Sequence, residues 1–213
     1  MLPAEETLAI PLWINGRAYL TVTSAFQEVR NPLSGKVLRR TPLCGAVETQ
    51  HAVASAQVAH LSWAALPIAA RAVLLVAVGE ALAGYAAHFA RMIVEETGKS
   101  EAAAEAEVAA SVALLRGVAT YQSRTREACS SEVVAVIGEA YEPLLGALLI
   151  AAPALLEGAV LILRPHPSTP SSLFALAELT GRCGFPGGVV NVLHGGEAVL
   201  NELRLTGISL LFA

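Results

Sequence analysis

The feature that most constrains the fold is a series of four short apolar runs in the C-terminal part of the chain. Helix-forming stretches separate the runs, which are VVAVIG at 133–138, AVLIL at 159–163, VVNVL at 189–193 and ISLLF at 208–212. Continuous apolar strands that alternate with helices indicate a parallel sheet with right-handed crossovers, covered on both faces. We therefore predict an α/β fold, with a Rossmann-like parallel sheet and flanking helices over residues 132–213.

Two other kinds of sequence precede this sheet. Residues 1–45 alternate short β-rich pieces with turn signals such as Asn15-Gly16, which predicts short β-hairpins. Residues 46–128 are rich in Ala, Leu and Glu, with breaks at 66–67 and 98–99. This second region is predicted to form a three-helix segment.

The composition favours a packed chain and argues against several partners. Of the 213 residues 54% are hydrophobic and 15% are charged, which is not the composition of a disordered protein. The net charge is −4 and no Lys/Arg cluster occurs, so we expect no nucleic acid partner. Cys44, Cys129 and Cys183 share no metal-ligand spacing. We therefore expect free structural thiols, no metal and a cytoplasmic protein.

The apolar stretch at 143–163 is long enough to cross a bilayer, and Glu157 is its only charged residue. Pro153 and Gly158 interrupt it, so a buried helix followed by a buried strand explains the same composition. The start of the chain is acidic and does not resemble a signal peptide. We expect no membrane segment and no secretion.

A set of segments occurs along nearly the whole chain in a fixed order. The segments are ING, NPLSGKV, SWAAL, EETGKS, PALLEGAVLILRPHPSTP, ELTGRCGFPGGVVNVLHG and ISLLF. Together they resemble the N-terminal portion of the aldehyde dehydrogenase superfamily. The resemblance implies a nicotinamide nucleotide, NAD or NADP, at the carboxyl ends of the parallel strands. It also leads us to interpret residues 1–213 as one truncated domain of that family.

The chain departs from this family after the first sheet strand. Family members carry Pro-Trp-Asn-Phe-Pro there, and the asparagine amide helps to stabilise the oxyanion of the thiohemiacetal. The matching segment at 139–143 reads EAYEP. Loss of one oxyanion donor typically lowers turnover about 10²- to 10³-fold. Tyr141 replaces the amide only if its hydroxyl reaches the same point.

A second departure follows the second strand, where the family carries Lys-Pro-Ser-Glu to hold the adenosine ribose. The matching residues are Arg164, Pro165, His166 and Pro167, and proline offers no acceptor to a ribose hydroxyl. Without the acid, Arg164 could favour the 2′-phosphate of NADP; the alternative is that Arg164 and His166 are exposed loop residues without a nucleotide contact. By resemblance, the candidate cofactor-binding residues are Ile137, Gly138, Tyr141, Arg164, Pro165 and His166.

No catalytic residue is expected in this chain. In the family, the pyrophosphate-facing helix, the glutamate base and the nucleophilic cysteine all follow the position that matches Ala213. None of the three cysteines lies in the nucleophile's motif. Adjacent Glu95 and Glu96 are expected to point apart on a helix, which argues against shared acid/base work. His51 and His60 are expected at the surface.

Two further expectations concern loops. Gly195-Gly196 lacks the GxGxxG pattern and is interpreted as a plain turn. The connection at 123–132 is too short for the oligomerisation hairpin that family enzymes usually carry at this place. The fourth strand, 208–213, is therefore expected to be covered by a partner protein or by a second copy in a homo-oligomer.

Three functional hypotheses remain open. The first is a non-catalytic interaction or stabilising subunit that resembles an aldehyde dehydrogenase and lacks its catalytic half. The second is the nucleotide-binding part of a split NAD(P)-dependent aldehyde oxidoreductase. The third is a gene remnant without a selected function.

Overall fold

The computed structural model describes residues 8–23, 25–120 and 132–213. The strands of these regions are β1 Leu12–Ile14, β2 Arg17–Tyr19, β3 Phe26–Arg30, β4 Val37–Pro42, β5 Val133–Ile137, β6 Val160–Arg164, β7 Val190–Val192 and β8 Ser209–Phe212. The helices are α1 Ala46–Ala65, α2 Ile68–Gly84, α3 Ala86–Thr97, α4 Glu101–Arg116, α5 Leu145–Glu157, α6 Ser171–Arg182 and α7 Glu197–Leu205. A short 3-10 turn at Val118–Thr120 follows α4.

A six-stranded sheet lies at the centre, in the order β2-β1-β7-β6-β5-β8. Strands β5, β6, β7 and β8 run parallel to one another, and β1 runs antiparallel to β7 and to β2. Every residue of β5 and β6 is buried, as expected for parallel strands covered on both faces. The predicted Rossmann-like α/β fold is confirmed, and β3 and β4 form a separate antiparallel pair.

Three crossover helices connect the parallel strands. Helix α5 joins β5 to β6 and α6 joins β6 to β7, in one direction across the sheet. Helix α7 returns from β7 to β8, on the far side of β5. Right-handed crossovers of opposite direction lie on opposite faces. One face is therefore covered by α7 with α1 beside it, and the other by α5 and α6, with α2 to α4 packed on them.

Residues 46–120, the described part of the helical segment, contain four α-helices, so the prediction of three was wrong. The breaks predicted at 66–67 and 98–99 are present, and Gly98 ends α3 with φ of +73°. The additional break is at Tyr85, whose φ of −109° and ψ of 16° lie outside the helical region. Gly84, the last residue of α2, has a low helix propensity, which is the local signal for this break.

The β1–β2 hairpin joins the main sheet, an arrangement that the sequence did not predict. Trp13 of β1 pairs with Val192 of β7. Asn15, in the turn with φ of +54°, donates its backbone N–H to Oδ1 of the buried Asn191 at 3.1 Å. Asn191 Nδ2 in turn donates to the carbonyl of Gly188 at 2.7 Å. The two asparagines fix the hairpin to the third parallel strand.

Two buried side chains of the helical segment satisfy carbonyls at the end of α5. Trp63 Nε1 donates to the carbonyl of Leu155 at 3.1 Å, and its ring stacks on Phe185 with centroids 5.0 Å apart. Arg71 Nε donates to the carbonyl of Leu156 at 2.8 Å. The last carbonyls of a helix have no partner within it. These donors therefore join α1 and α2 to the sheet layer.

The apolar stretch at 143–163 folds into α5 and β6, as the sequence predicted. Eight residues of α5 are buried, and they pack against the sheet and the helical segment. In the described ranges no single helix is long and apolar enough to span a membrane. Helices α1 and α2 reach that threshold only when taken together, and they are bent by 116°.

Candidate functional site

The carboxyl ends of the parallel strands bring most of the predicted nucleotide contacts together. Ile137, the last residue of β5, lies in register with Arg164 of β6 and with Phe212 of β8. The N–H of Gly138 donates to the carbonyl of Arg164 at 2.9 Å. A Cβ at Gly138 would lie 3.4 Å from Pro165 Cα, which is an ordinary van der Waals contact. Ligands of open α/β sheets bind at this edge.

Arg164 is buried at this edge, so the alternative that it is an exposed loop residue was wrong. Its side chain belongs to the end of β6 and its Nε donates to the carbonyl of Gly195 at 2.9 Å. Burial lowers the pKa of the guanidinium, since desolvation disfavours its charge. Arg164 therefore holds the loop between β7 and α7. This carbonyl occupies one of the five N–H donors of the guanidinium.

His166 is half-buried beside this arginine, and its ring is held by its own loop. Nδ1 accepts a hydrogen bond from the Ser168 backbone N–H at 3.3 Å and lies 2.7 Å from Ser168 Oγ. Desolvation, followed by the charge of Arg164, lowers the pKa of His166. The imidazole also lines an open groove of about 600 Å³. This groove is lined by Phe26, Gln27, Glu28, Arg30, His166, Pro167 and Ser168.

Tyr141 lies in the loop between β5 and α5. It is 70% exposed, and the Lys99 ammonium lies 4.4 Å from the centroid of its ring. Lys99 Nζ also donates to the buried Glu107 carboxylate at 2.8 Å. The Lys99–Glu107 pair is not evident from the sequence, because Lys99 precedes α4, Glu107 lies within it and no local pattern links the two residues.

Carboxylates of the chain itself bind N–H groups at the start of α5 and in the loop before it. Glu139 accepts hydrogen bonds from the N–H groups of Tyr141, at 2.8 Å, and of Glu142. Glu107 Oε1 accepts from the N–H of Leu144 at 2.9 Å, and also from the N–H that follows it. Free N–H groups at a helix start attract anions. Here Glu107 satisfies the N–H groups of Leu144 and Leu145 at the helix start, and Glu139 satisfies those of the preceding loop. The two carboxylates make the position unfavourable for an oxyanion or a phosphate.

The start of α6 is capped in the same way by Glu96. Its carboxylate accepts from the N–H of Ser171 at 3.1 Å and from the Ser171 hydroxyl. Burial raises the pKa of Glu96 to about 7, although these hydrogen bonds and Arg39 oppose the shift. Arg39 also pairs with Glu95 at 2.8 Å and with Glu96 at 3.2 Å. The adjacent acids therefore converge on one arginine, contrary to the expectation that they point apart.

The described cysteines are poor candidates for a nucleophile. Burial raises the pKa of the Cys44 thiol to about 12. Burial also raises the pKa of the half-buried Cys183. Thiolates are the reactive form, and neither residue is a thiolate near neutral pH. Cys129 and the short connection at 123–131 lie outside the described residues.

The remaining sequence predictions concern His51, His60, the turn at Gly195-Gly196 and metal binding. His51 is exposed, with Nδ1 3.2 Å from the Tyr19 hydroxyl, whereas His60 is half-buried, so the surface prediction was wrong for His60. Gly195 lies in the loop before α7 with φ of +143° and accepts from Arg164. Among residues 8–23, 25–120 and 132–213, no three His, Cys, Asp or Glu side chains are grouped as metal ligands.

The edge keeps the backbone of a nucleotide site but not the polar contacts that the resemblance implies. Pro167 offers no acceptor to a ribose, and the Nε–H of Arg164 is bonded to a carbonyl. Glu107 and Glu96 bind N–H groups at the starts of α5 and α6. The residues present therefore do not fit the ribose and phosphates of NAD or NADP as the family holds them.

Comparisons with known proteins agree with this fold. The profile of the aldehyde dehydrogenase family matches residues 19–206. The chain therefore belongs to the aldehyde dehydrogenase family. It is 30% identical over 215 residues to malonate-semialdehyde dehydrogenase 1 of Geobacillus kaustophilus, covering 93% of this chain and 44% of that protein. It is 32% identical over 209 residues to lactaldehyde dehydrogenase of Escherichia coli, covering 91% of this chain and 44% of that protein.

Solved structures of related enzymes superpose on this chain. The crystal structure of lactaldehyde dehydrogenase from Escherichia coli superposes with a TM-score of 0.85 at 29% identity, covering 92% of this chain and 45% of that chain. An NADP-dependent enzyme of E. coli gives a TM-score of 0.87 at 28% identity, covering 100% of this chain and 48% of that chain. The chain thus spans slightly less than half the length of the relatives it matches.

Proposed function

We propose that this chain serves as a non-catalytic interaction or stabilising subunit of the aldehyde dehydrogenase family. The observation that carries the proposal is the internal use of the groups at the carboxyl edge. Arg164 Nε donates to the carbonyl of Gly195, and Glu107 and Glu96 bind N–H groups at the starts of α5 and α6. Groups that would otherwise bind a nucleotide or an oxyanion instead hold the fold together.

The β8 edge supports an interaction role. In the described part of the chain, β8 is the outermost strand of the sheet beyond β5. Phe212 is 62% exposed, and Leu210 and Leu211 are half-buried. An apolar strand at a sheet edge favours pairing with another strand. We propose that a partner chain, or a second copy of this one, covers residues 208–213.

A second candidate is the nucleotide-binding part of a split NAD(P)-dependent aldehyde oxidoreductase. It is favoured by the aligned strand ends at Ile137 and Arg164 and by the backbone hydrogen bond from Gly138 to Arg164. In this case a separate polypeptide supplies the nucleophilic cysteine and the base. The two candidates differ in whether the chain binds a nucleotide.

Calorimetric titration with NAD⁺, NADH, NADP⁺ and NADPH separates them. The interaction-subunit proposal predicts no saturable heat with any of the four from folded protein. A Kd near 1 µM, about −8 kcal/mol, would contradict it and favour the split enzyme. Abolition of that binding by Arg164→Met, with retention in a matched Arg204→Met control on the exposed face of α7, would locate the nucleotide at the carboxyl edge.

A further inference from the structure

Helices α3 and α4 pack side by side and leave an apolar groove between them that is open to solvent. The larger part of the groove has a volume of about 500 Å³ and is lined by five alanines, two valines, Glu105 and Arg116. A smaller part of about 260 Å³ extends to Glu101 at the start of α4. Ala87 and Glu105 line both parts, so the two form one continuous space, which we call the α3–α4 groove.

The groove is open because the residues that line it are small. Ala86 and Ala87 line it from α3, and Ala109 and Ala113 line it from α4. A methyl group at each of these positions leaves the space between the helices unfilled. Sites for small molecules are apolar clefts of about 300–1,000 Å³. The α3–α4 groove has this lining and size, and at 1.5 Å per residue it extends about 22 Å along α4.

The two ends of the groove differ in charge. At one end, Arg116 donates to both carboxylate oxygens of Glu80, at 2.8 and 2.7 Å. At the other end, Glu101 and Glu105 lie one helical turn apart on α4. In the described part of the chain, neither of these acids has an ion-pair or hydrogen-bond partner. The charge of the arginine is therefore satisfied, whereas those of the two acids are not.

The two acids repel each other at this spacing, since like charges four residues apart destabilise a helix. The partial positive charge of a helix start accounts for Glu101 in the first turn of α4, but it acts only weakly beyond that turn, where Glu105 lies. Arg91 also lines this end, and its guanidinium donates to His88 Nδ1 at 2.9 Å. The end at Glu101 and Glu105 is therefore suited to a positively charged group.

We infer that the α3–α4 groove binds an elongated aliphatic amine, with the ammonium beside Glu101 and Glu105 and the alkyl chain along the alanines. The ammonium relieves the repulsion between the carboxylates, and the chain removes water from the apolar lining. A fatty acid fits less well, because its carboxylate would meet these two acids or would compete with Glu80 for Arg116. The groove shares no lining residue with the carboxyl edge of the sheet, so the inference does not depend on whether a nucleotide binds.

Calorimetric titration with octylamine, octanol and octanoate tests the chemistry of the groove. Octylamine is expected to bind saturably with a Kd below about 1 mM, octanol more weakly and octanoate not at all. Each methylene added between hexylamine and decylamine is expected to lower the Kd about 3-fold, as apolar burial requires. Octanoate that binds as tightly as octylamine overturns the inference, and so does the absence of saturable octylamine binding up to about 5 mM.

Substitutions on α4 test the location. Ala109→Phe fills the groove and is expected to raise the octylamine Kd at least about 10-fold, since the chain loses most of its buried length. Ala110→Phe, at the neighbouring exposed alanine outside the groove, is the matched control and is expected to leave the Kd unchanged. Circular dichroism verifies that both variants are folded. Octylamine binding that Ala109→Phe leaves intact overturns the inference.

A third variant tests the charge. Glu105→Gln is expected to raise the octylamine Kd about 3- to 5-fold and to leave octanol binding unchanged, because only the amine is charged. Glu197→Gln, at an exposed acid of α7, is the control and is expected to change neither. An equal loss of octylamine and octanol binding in Glu105→Gln contradicts the role of the carboxylate.

Discussion

His194 is predicted to limit stability in acid. The imidazole is 2% exposed, its Nε2 donates to the carbonyl of Pro11 at 3.0 Å, and its ring lies 6.4 Å from that of Phe174. Burial lowers its pKa from 6.5 to about 4, and the hydrogen bond to Pro11 opposes the shift only in part. The unfolded chain therefore binds a proton in a pH range where the folded chain does not.

The sign and size follow from this difference in pKa. The free energy of unfolding is unaffected by His194 above pH 6.5 and falls as the pH is lowered towards 4. The loss is about 2 kcal/mol at pH 5 and about 3 kcal/mol at pH 4, since each pKa unit corresponds to about 1.4 kcal/mol. His194→Gln retains an amide donor for the Pro11 carbonyl and removes the titration. We expect the variant to gain stability relative to wild type by these amounts as the pH falls.

Urea unfolding followed by the fluorescence of Trp13 and Trp63 at a series of pH values measures this difference. Other titrating groups are the same in both chains, so they cancel in the comparison. Val192→Ala, on the adjoining strand, is the control: it removes buried volume and its cost should not change with pH. A difference between His194→Gln and wild type that stays constant from pH 7 to pH 4.5 would refute the reasoning.

Three further predictions concern Glu96, Gly188 and Lys99. Burial raises the pKa of Glu96 to about 7, so the free energy of unfolding is highest below pH 4.5 and declines as the pH rises through 7. Glu96→Gln removes this titration. In urea unfolding, the variant should therefore gain up to about 3 kcal/mol relative to wild type over that pH range. Gly188→Ala should lower stability in thermal unfolding by at least about 3 kcal/mol, because φ is +88° and the new Cβ would lie 2.6 Å from a backbone oxygen. The control Gly84→Ala, at a helical position with open space around it, should not lower stability. Lys99→Met should cost about 3–5 kcal/mol in chemical denaturation because the buried Glu107 loses its counter-charge; a cost below about 1 kcal/mol would contradict the buried pair.

The parallel strands were predictable because their signal is local. Each of β5 to β8 is a short run of branched apolar residues, and each observed strand end lies within one residue of the predicted end. The break at Tyr85, which divides α2 from α3, was not predicted. Gly84 marked it weakly in a segment whose alanines and leucines continue the helical pattern on both sides.

The candidate site was less predictable because the burial of its side chains depends on residues that are far away in the sequence. The sequence left two alternatives for Arg164, a nucleotide contact or an exposed residue. In the structure Arg164 is buried, and the carbonyl of Gly195 accepts its Nε–H. Glu107 and Lys99 likewise acquire their roles only when α4 packs beside α5. The pairing of β1 with β7 rests on one residue pair and on Asn15 and Asn191, which no periodicity reveals.

That pairing has a consequence for how the chain is made. Trp13 meets Val192, so the hairpin near the N-terminus emerges from the ribosome long before the strand it pairs with exists. Contacts between residues so distant along the chain slow folding, because a long loop must close before they form. During synthesis the hairpin therefore waits as an exposed apolar segment. A chaperone that binds nascent chains should protect this segment until the third parallel strand has been translated.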